Sequence, residues 1–398
     1  MRYRQFQDLQ LSALGFGTMR LPLLKDGSGI IDQEELDRMV DLAIAGGVNY
    51  FDTAHPYHGG KSEAAIGRSL SRYPREKWYL ADKFPGHQNV PGIRETRPED
   101  VFEEQLQRCG VDYFDFYLLH NVNENSMRYY CDPEKHCLDY FLEQKAQGRI
   151  RHLGFSCHAG PEALKRFLDQ YGGVLEFCQI QLNYLDWKLQ DAEQKCEILR
   201  SVGLPIWVME PVRGGKLASF PEETEAQMRE LRPNESIASW GFRWLQTVPQ
   251  PTVILSGMSN TAQMEDNIRT FSTEQSLNAQ ELSLLESIAD SIMGNIPCTG
   301  CRYCCAGCPV GLDIPLLMNF ANELLISSGG RITNIMMRYS SLDSDKRADS
   351  CIACGQCRRI CPQGIDVPAE LAKFTAQIAK QQPWEEICRE RAEKAARK

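Results

Sequence analysis

No apolar run in the 398 residues approaches the roughly 20 needed to span a bilayer, so no transmembrane helix is expected. The opening residues MRYRQFQDLQ hold no apolar signal-peptide core, and a cytoplasmic location is the expectation. Positive charge is not in excess: 44 Lys and Arg stand against 53 Asp and Glu, a net charge of −9. With no basic patch, nucleic acid is not an expected partner. The acidity mainly favours solubility. Low-complexity segments are also absent. No G-x-G-x-x-G follows an early strand, which argues against an open dinucleotide-binding sheet.

Cysteine is plentiful. There are 16, and nine of them lie between Cys298 and Cys361. In a reducing compartment so dense a cluster argues for metal, not disulfides. Two runs share one spacing. Cys298, Cys301, Cys304 and Cys308-Pro309 form the first; Cys351, Cys354, Cys357 and Cys361-Pro362 form the second. Both match the ferredoxin run C-x₂-C-x₂-C-x₃-C-P. Three cysteines at two-residue gaps wrap one face of a cubane, and the fourth reaches the other cluster. The expected ligand sets are Cys298, Cys301, Cys304 and Cys361 for one [4Fe-4S] cluster. Cys351, Cys354, Cys357 and Cys308 serve the other. Paired C-x₂-C groups also build zinc ribbons, but two four-cysteine runs of this spacing suit zinc poorly. Cys305 falls off register and reads as a small packing residue. Cys109, Cys131, Cys137, Cys157, Cys178, Cys196 and Cys388 are scattered and read mostly as core.

Ahead of the cysteines, strand-like and helix-like runs alternate. Residues 1–20 hold two short apolar stretches around Gln7-Asp8, a predicted hairpin, and end in Leu14–Thr18. Strands are predicted at Asn49–Ala54, Trp78–Lys83, Tyr113–His120, Ile150–Ser156, Phe177–Asn183, Pro205–Glu210 and Thr252–Gly257, with Leu14–Thr18 as the eighth. Helices are predicted between them, among them Glu34–Ala45, Pro133–Gln147 and Asp186–Ser201, with Asn278–Met293 closing the series. Eight such units fit an α/β protein with a closed (β/α)8 TIM barrel better than an open sheet. The expected domains are a barrel over 1–293, a mainly α ferredoxin-like domain over 294–370 and a charged helical tail over 371–398. Residues 313–338 read as helical with a break at Gly329-Gly330.

Three successive strands carry ionisable groups at their carboxyl ends, the rim where barrel enzymes gather catalytic groups. Asp52 ends one, with Tyr57 five residues on in the loop; Lys83 ends the next and His120 the third. Singly, each reads as a cap or a satisfied structural residue. Jointly they suit reduction of a carbonyl, where the alkoxide left by hydride delivery needs a proton. Tyr57 can donate it. Lys83 would lower the phenol pKa, Asp52 would hold Lys83, and His120 would orient the carbonyl oxygen.

Phe51-Asp52-Thr53-Ala54, Tyr57, Lys83 and His120 resemble the aldo-keto reductase tetrad, and the resemblance runs over about residues 1–290. It implies a barrel whose base is plugged by an N-terminal hairpin, and NADP(H)- or NAD(H)-linked interconversion of a small carbonyl and its alcohol. Together with the cysteine runs, the chain resembles an iron–sulfur branch of that family. The resemblance also implies cofactor contacts. Gly17, Thr18 and Met19 lie in the opening turn. Ser156 and Gln179 stand at the carboxamide, although Cys157 replaces the usual asparagine. Met209 takes the place of a tyrosine that stacks on the nicotinamide. Arg213, Gly214 and Gly215 resemble the pyrophosphate-side loop. Ser259, Asn260, Gln263 and Asn267 resemble the adenosine-phosphate segment. The usual cation beside Ser259 is missing, since Met258 and Asn260 flank it.

Hydride transfer moves two electrons and the clusters move one at a time. Three readings follow. The first is a reductase whose clusters are structural or dock a redox partner protein. The second is a ferredoxin-linked oxidoreductase, with flavin possible but unsupported by a motif. The third is a non-enzymatic redox sensor or electron-transfer subunit. The mouth is expected to be lined by loops such as 84–96 and 121–132; His55, His58, Trp187 and Tyr129 could also face a substrate, and each reads equally well as loop packing.

Overall fold

The computed structural model describes residues 1–89, 95–248, 251–293, 296–298, 300–326 and 333–396. They form two units. One comprises Met1–His87, Thr96–Trp187 and Asp191–Leu285; the other comprises Gln88–Glu95, Lys188–Gln190 and Glu286–Lys398.

The first unit opens with an antiparallel hairpin, β1 (Tyr3–Phe6) and β2 (Leu9–Ser12), turned at Gln7 with φ 50°. Eight parallel strands follow: β3 (Leu14–Gly17), β4 (Tyr50–Asp52), β5 (Tyr79–Phe84), β6 (Phe114–Val122), β7 (Ile150–Cys157), β8 (Cys178–Gln181), β9 (Ile206–Met209) and β10 (Pro251–Gly257). β10 pairs with both β9 and β3, so the sheet closes into the expected barrel. Strands covered on both faces favour apolar runs, as β9 (IWVM) and β10 (PTVILSG) show.

The hairpin plugs the barrel. Phe6 and Leu11 share one core with Tyr50, Phe116 and Trp207 from the strands and with Phe177 just before β8. The Phe6 ring meets Trp207 edge-on with centroids 5.0 Å apart, a favoured aromatic geometry. Gly154 leaves the room this needs: a Cβ there would come within 2.5 Å of the Phe177 ring.

The helix Gln33–Ala45 buries Leu36, Met39, Val40 and Ala43, the stripe its sequence spacing predicts. Asp32 caps it by accepting the Glu35 N–H at 3.0 Å. Two predicted helices are broken. Pro133–Gln147 divides at His136 (φ 46°) into a 3-10 turn, Pro133–Lys135, and the helix Cys137–Ala146. Asp186–Ser201 divides at Asp191 (φ 50°) into Asp186–Leu189 and Ala192–Ser201. Apolar periodicity does not register a single left-handed residue. The helix Glu222–Leu231 went unpredicted because Met228 alone is buried on it.

The second unit is helical. Ile314–Ile326, Thr333–Ser340 and Val367–Ile378 enclose a core that includes Leu317, Phe320, Tyr339 and Phe374, with Cys304 and Cys357 inside it. The predicted break at Gly329-Gly330 lies outside the described residues. The charged tail forms the helix Trp384–Ala396, which packs Trp384 and Cys388 on Met337. Among the described residues no helix is long and apolar enough to cross a membrane.

Candidate functional site

The carboxyl ends of β4, β5 and β6 bring four side chains to one place. Lys83 and Asp52 are 1% and 2% exposed and form a direct ion pair. Lys83 Nζ also donates to the Thr53 carbonyl at 2.7 Å. It stands 5.3 Å from the Tyr57 ring centroid. The His120 ring lies 5.9 Å from that of Tyr57, nearly perpendicular to it.

Electrostatics follow from burial. Burial depresses the Lys83 ammonium, but Asp52 and Tyr57 outweigh it and hold Lys83 above its ordinary value. Burial lifts the Asp52 carboxyl, against the pull of Lys83. The two pressures conflict, since burial favours neutral forms and contact favours charged ones; the position of Lys83 shows that contact decides its charge. For Tyr57 the outcome differs from the sequence expectation. Lys83 does pull the phenol down, yet burial is the larger effect and leaves it above its ordinary value of 10.0. His120 is driven well below the ordinary imidazole value by burial, then by His87, Lys83, His158 and His55. Near neutral pH the phenol keeps its proton and the imidazole is uncharged. Among the described residues His120 Nδ1 is buried without a hydrogen-bond partner. An orphaned polar atom in a catalytic-looking pocket suits an incoming oxygen-bearing group.

The candidate nucleotide contacts are largely engaged within the chain. Ser156 Oγ accepts the Asn121 N–H at 2.7 Å. Gln179 Nε2 donates to Asp52 Oδ2 at 3.3 Å, so Gln179 braces the tetrad carboxylate. Met209 ends β9. Arg213 is nearly buried, with Nε 3.2 Å from Asp186 Oδ1. Gly214 and Gly215 follow with φ of 66° and 94°, left-handed values that suit glycine. Gly17, Thr18 and Met19 leave β3 in a short turn, where Thr18 receives a hydrogen bond from Ser62 at 2.7 Å. Asn267 Nδ2 donates to Ser256 Oγ at 2.9 Å. Asn260 caps the helix Thr261–Ser272 by accepting the Gln263 N–H at 2.9 Å, and Gln263 Oε1 accepts the Ser259 N–H at 2.8 Å.

Of the further mouth candidates, three make ordinary packing contacts. His58 Nε2 accepts the Leu21 N–H at 3.1 Å, Trp187 packs on Trp244, and Tyr129 donates to the Thr96 carbonyl at 3.1 Å. His55 Nε2 lies 3.3 Å from Glu104 Oε2. Sequence reasoning passed over His87, His158, Arg20 and Glu210. Glu210 ends the predicted strand Pro205–Glu210 and His158 directly follows β7, so strand-end position was a usable signal for both. Arg20 and Glu210 face each other at 3.5 Å, and Glu210 acts electrostatically on Tyr57.

In the second unit a recess is lined by Cys308, Cys351, Cys354 and Cys357, with Pro309, Ile314, Gly355 and Leu371. Its four thiols come from both cysteine runs. Cys298 has Cys301 and Cys361 among its electrostatic neighbours, and Cys357 has Cys351 and Cys354. Cys301 and Cys354 are exposed, whereas Cys304 and Cys357 are buried. Among the described residues no three His, Cys, Asp or Glu are gathered as they would be round a single metal ion.

Known proteins resemble both parts. Residues 295–365 match the 4Fe-4S dicluster domain, so the second unit carries an iron–sulfur domain. An NADH-specific methylglyoxal reductase of Escherichia coli is 28% identical over 229 residues, 53% of this chain and 66% of that protein. The chain therefore spans just under two thirds of that relative's length. An aldo-keto reductase from Bacillus halodurans, in its holo form, superposes with a TM-score of 0.58 at 24% identity, covering 72% of this chain and 96% of the other. One from Klebsiella pneumoniae, in complex with NADP and acetate, superposes with a TM-score of 0.55 at 19% identity, covering 70% and 92%. At those identities the likeness is one of fold. The profile of the aldo/keto reductase family matches residues 13–290, well over half the chain and the whole of the closed barrel, and the chain belongs to that family.

Proposed function

We propose that the barrel interconverts a small carbonyl compound and its alcohol, with Tyr57 as proton donor. One observation carries this reading: a protonated phenol held beside a buried ammonium whose own counter-ion is fixed. Tyr57 holds the proton that an alkoxide would take. Lys83 stabilises the phenolate left behind, and Asp52, braced by Gln179, keeps Lys83 charged and in place. Neutral His120 directs an imidazole nitrogen at the carbonyl oxygen.

A nicotinamide nucleotide, when bound, supplies or takes the hydride. The residues for it are Gly17, Thr18, Met19, Ser156, Gln179, Met209, Arg213, Gly214, Gly215, Ser259, Asn260, Gln263 and Asn267. Their disposition favours NADH. The Thr261 N–H at the start of its helix already donates to Glu35 Oε1 at 2.8 Å, and Asn260 and Gln263 occupy two neighbouring N–H groups. A 2′-phosphate would meet the Glu35 carboxylate where it wants a cation. The Escherichia coli relative is named NADH-specific, in keeping with this, although the Klebsiella pneumoniae structure contains NADP.

For the second unit, Cys298, Cys301, Cys304 and Cys361 are proposed to hold one [4Fe-4S] cluster, and Cys351, Cys354, Cys357 and Cys308 the other. The mixed origin of the recess thiols supports the crossed assignment. Exposure of Cys301 and Cys354 favours a role in exchanging single electrons with a partner protein. That exposure also supports a second reading, in which the barrel draws electrons through the clusters without nicotinamide.

Steady-state turnover of the anaerobically purified protein separates the two. Carbonyl reduction driven by NADH, lost in Tyr57→Phe and kept in Cys354→Ser, supports the first. Turnover with reduced viologen alone supports the second. Full activity of Tyr57→Phe removes the tetrad mechanism.

A further inference from the structure

Lys83 lies beyond the end of its neighbouring strand. β4 pairs with β5 only as far as Asp52 opposite Ala81, whereas β5 runs on to Phe84. Ala81 turns its carbonyl towards β4, where the Thr53 N–H donates to it at 2.9 Å. Alternate residues of a strand turn their peptide groups to the same neighbour, so Lys83 faces the side on which β4 has ended. Buried peptide groups need partners. Two side chains supply them here. Asp82 Oδ1 accepts the Lys83 N–H at 2.7 Å, and Gln105 Nε2 donates to the Lys83 carbonyl at 3.1 Å.

Gln105 is fully buried, and its amide is engaged at both ends. Nε2 also donates to Glu63 Oε1 at 3.0 Å, and Oε1 accepts from the Tyr117 hydroxyl at 2.5 Å. A hydroxyl donating to Oε1 settles which end of the amide faces Lys83. Glu63 is anchored in turn by Arg108 at 2.9 Å. Gly67 permits the meeting. A Cβ there would stand 2.2 Å from the Cys109 carbonyl oxygen, so glycine is what lets the helix of Glu63 (Ser62–Leu70) close on that of Gln105 (Pro98–Cys109).

We propose that Gln105 is a positioning residue for the tetrad: it fixes the main chain of Lys83 and so sets how strongly the Lys83 ammonium acts on Tyr57. The inference rests on the reading that Tyr57 gives its proton to a carbonyl compound. Gln105 acts through Lys83, not on the reacting atoms. Charge attraction falls with distance, and Lys83 Nζ lies 5.3 Å from the Tyr57 ring centroid. Burial, Asp52 and Glu210 oppose Lys83 at the phenol. A Lys83 held less closely leaves them less opposed, and the phenol gives up its proton less readily.

Two variants test this. Gln105→Met keeps the volume and removes the donor to Lys83. Tyr117→Phe keeps the amide and removes the bond that orients it, and it carries the same test if the first variant does not fold. In steady-state reduction of an uncharged carbonyl compound, kcat of Gln105→Met should fall about tenfold to a hundredfold, and that of Tyr117→Phe by less. KM should stay within about twofold in both, and the alkaline limb of kcat should move to higher pH. The proton–carbon correlation of the Lys83 ε-methylene reports its position without turnover. The Tyr57 ring displaces that resonance, and its absence from the double variant Lys83→Met with Asp52→Asn identifies it. In Gln105→Met it should move towards the ordinary lysine shift. If either the resonance or the alkaline limb stays in place in every variant that folds, the proposal falls, whatever the melting temperature does. A raised KM at unchanged kcat overturns it as well. A displaced resonance in a protein that reduces no carbonyl compound overturns the reductase reading and leaves the hold of Gln105 on Lys83 standing.

Discussion

The Lys83 ammonium is bound to the Asp52 carboxylate inside the barrel wall, with almost no solvent access to either. Removing one partner strands the other charge. Lys83→Met should cost about 3–5 kcal/mol of stability, whereas the double variant Lys83→Met with Asp52→Asn should regain most of it without regaining turnover. Tyr57→Phe should keep stability and lose about 10²–10⁴ in rate. Chemical denaturation beside steady-state assays checks all three. A stable Lys83→Met protein would mean that the pair is not buried as described.

The pH profile of reduction follows from two opposite shifts. Tyr57, the proposed acid, is raised by burial, while His120 is lowered and stays neutral. With a carbonyl compound that bears no charge, kcat should be level through the neutral range and decline only on the alkaline side, as Tyr57 loses its proton. Since Lys83 pulls that pKa down, its removal should move the declining limb further to alkali. A limb already falling below pH 8 would contradict the assignment of Tyr57.

Behind Lys83 sits a second buried carboxyl. Asp82 is fully enclosed, accepts the Lys83 N–H at 2.7 Å, and hydrogen-bonds Glu63, which is itself held by Gln105 and Arg108. Burial, then repulsion from Glu63, raises the Asp82 pKa far above the carboxylate range. Its unfolded value is ordinary, so the stability it contributes is complete below that value and lost as pH rises towards the folded one. The slope is at most about 1.4 kcal/mol per pH unit. Asp82→Asn copies the protonated form and should abolish that slope, raising the urea midpoint at pH 8 more than at pH 5. A midpoint lowered at both pH values would show that Asp82 is ionised.

The crossed ligand sets make a pairing prediction. Cys298→Ser and Cys361→Ser should disturb the same cluster, and Cys308→Ser should disturb the one affected by Cys354→Ser. Cys305→Ser should leave both. Iron content and the electron paramagnetic resonance of the reduced protein report each case. If Cys298→Ser and Cys308→Ser disturb one cluster together, each run holds its own.

Glu35 offers a specificity test. Its carboxyl is held below the ordinary range, chiefly by the Thr261 N–H, and accepts from Arg38 Nε at 3.0 Å. Glu35→Gln keeps an acceptor for Thr261 and removes the charge. NADPH affinity should rise several-fold to about tenfold, while NADH affinity holds. Fluorescence titration with each nucleotide measures the ratio. An unchanged ratio would clear Glu35 of any part in the choice.

Much of this was written into the chain. Strand–helix alternation declares the barrel, because burial of two sheet faces forces apolar runs at regular intervals, whereas the hairpin plug was expected only from the family resemblance. The cysteine spacing declares the iron–sulfur domain through local geometry alone. Asp52, Lys83 and His120 are legible because strand ends in a closed barrel must share a rim. The divisions at His136 and Asp191 were not legible, since a left-handed residue leaves no mark on hydrophobic period.

Tertiary structure decided what depends on distance and burial. Whether Tyr57 is raised or lowered turns on the balance between desolvation and the Lys83 charge, and no spacing along the chain contains that balance. The same holds for His87 beside His120, Gln179 on Asp52, and Glu35 at Thr261. Each joins residues far apart in sequence or on separate strands, and only the closed fold fixes which of them meet.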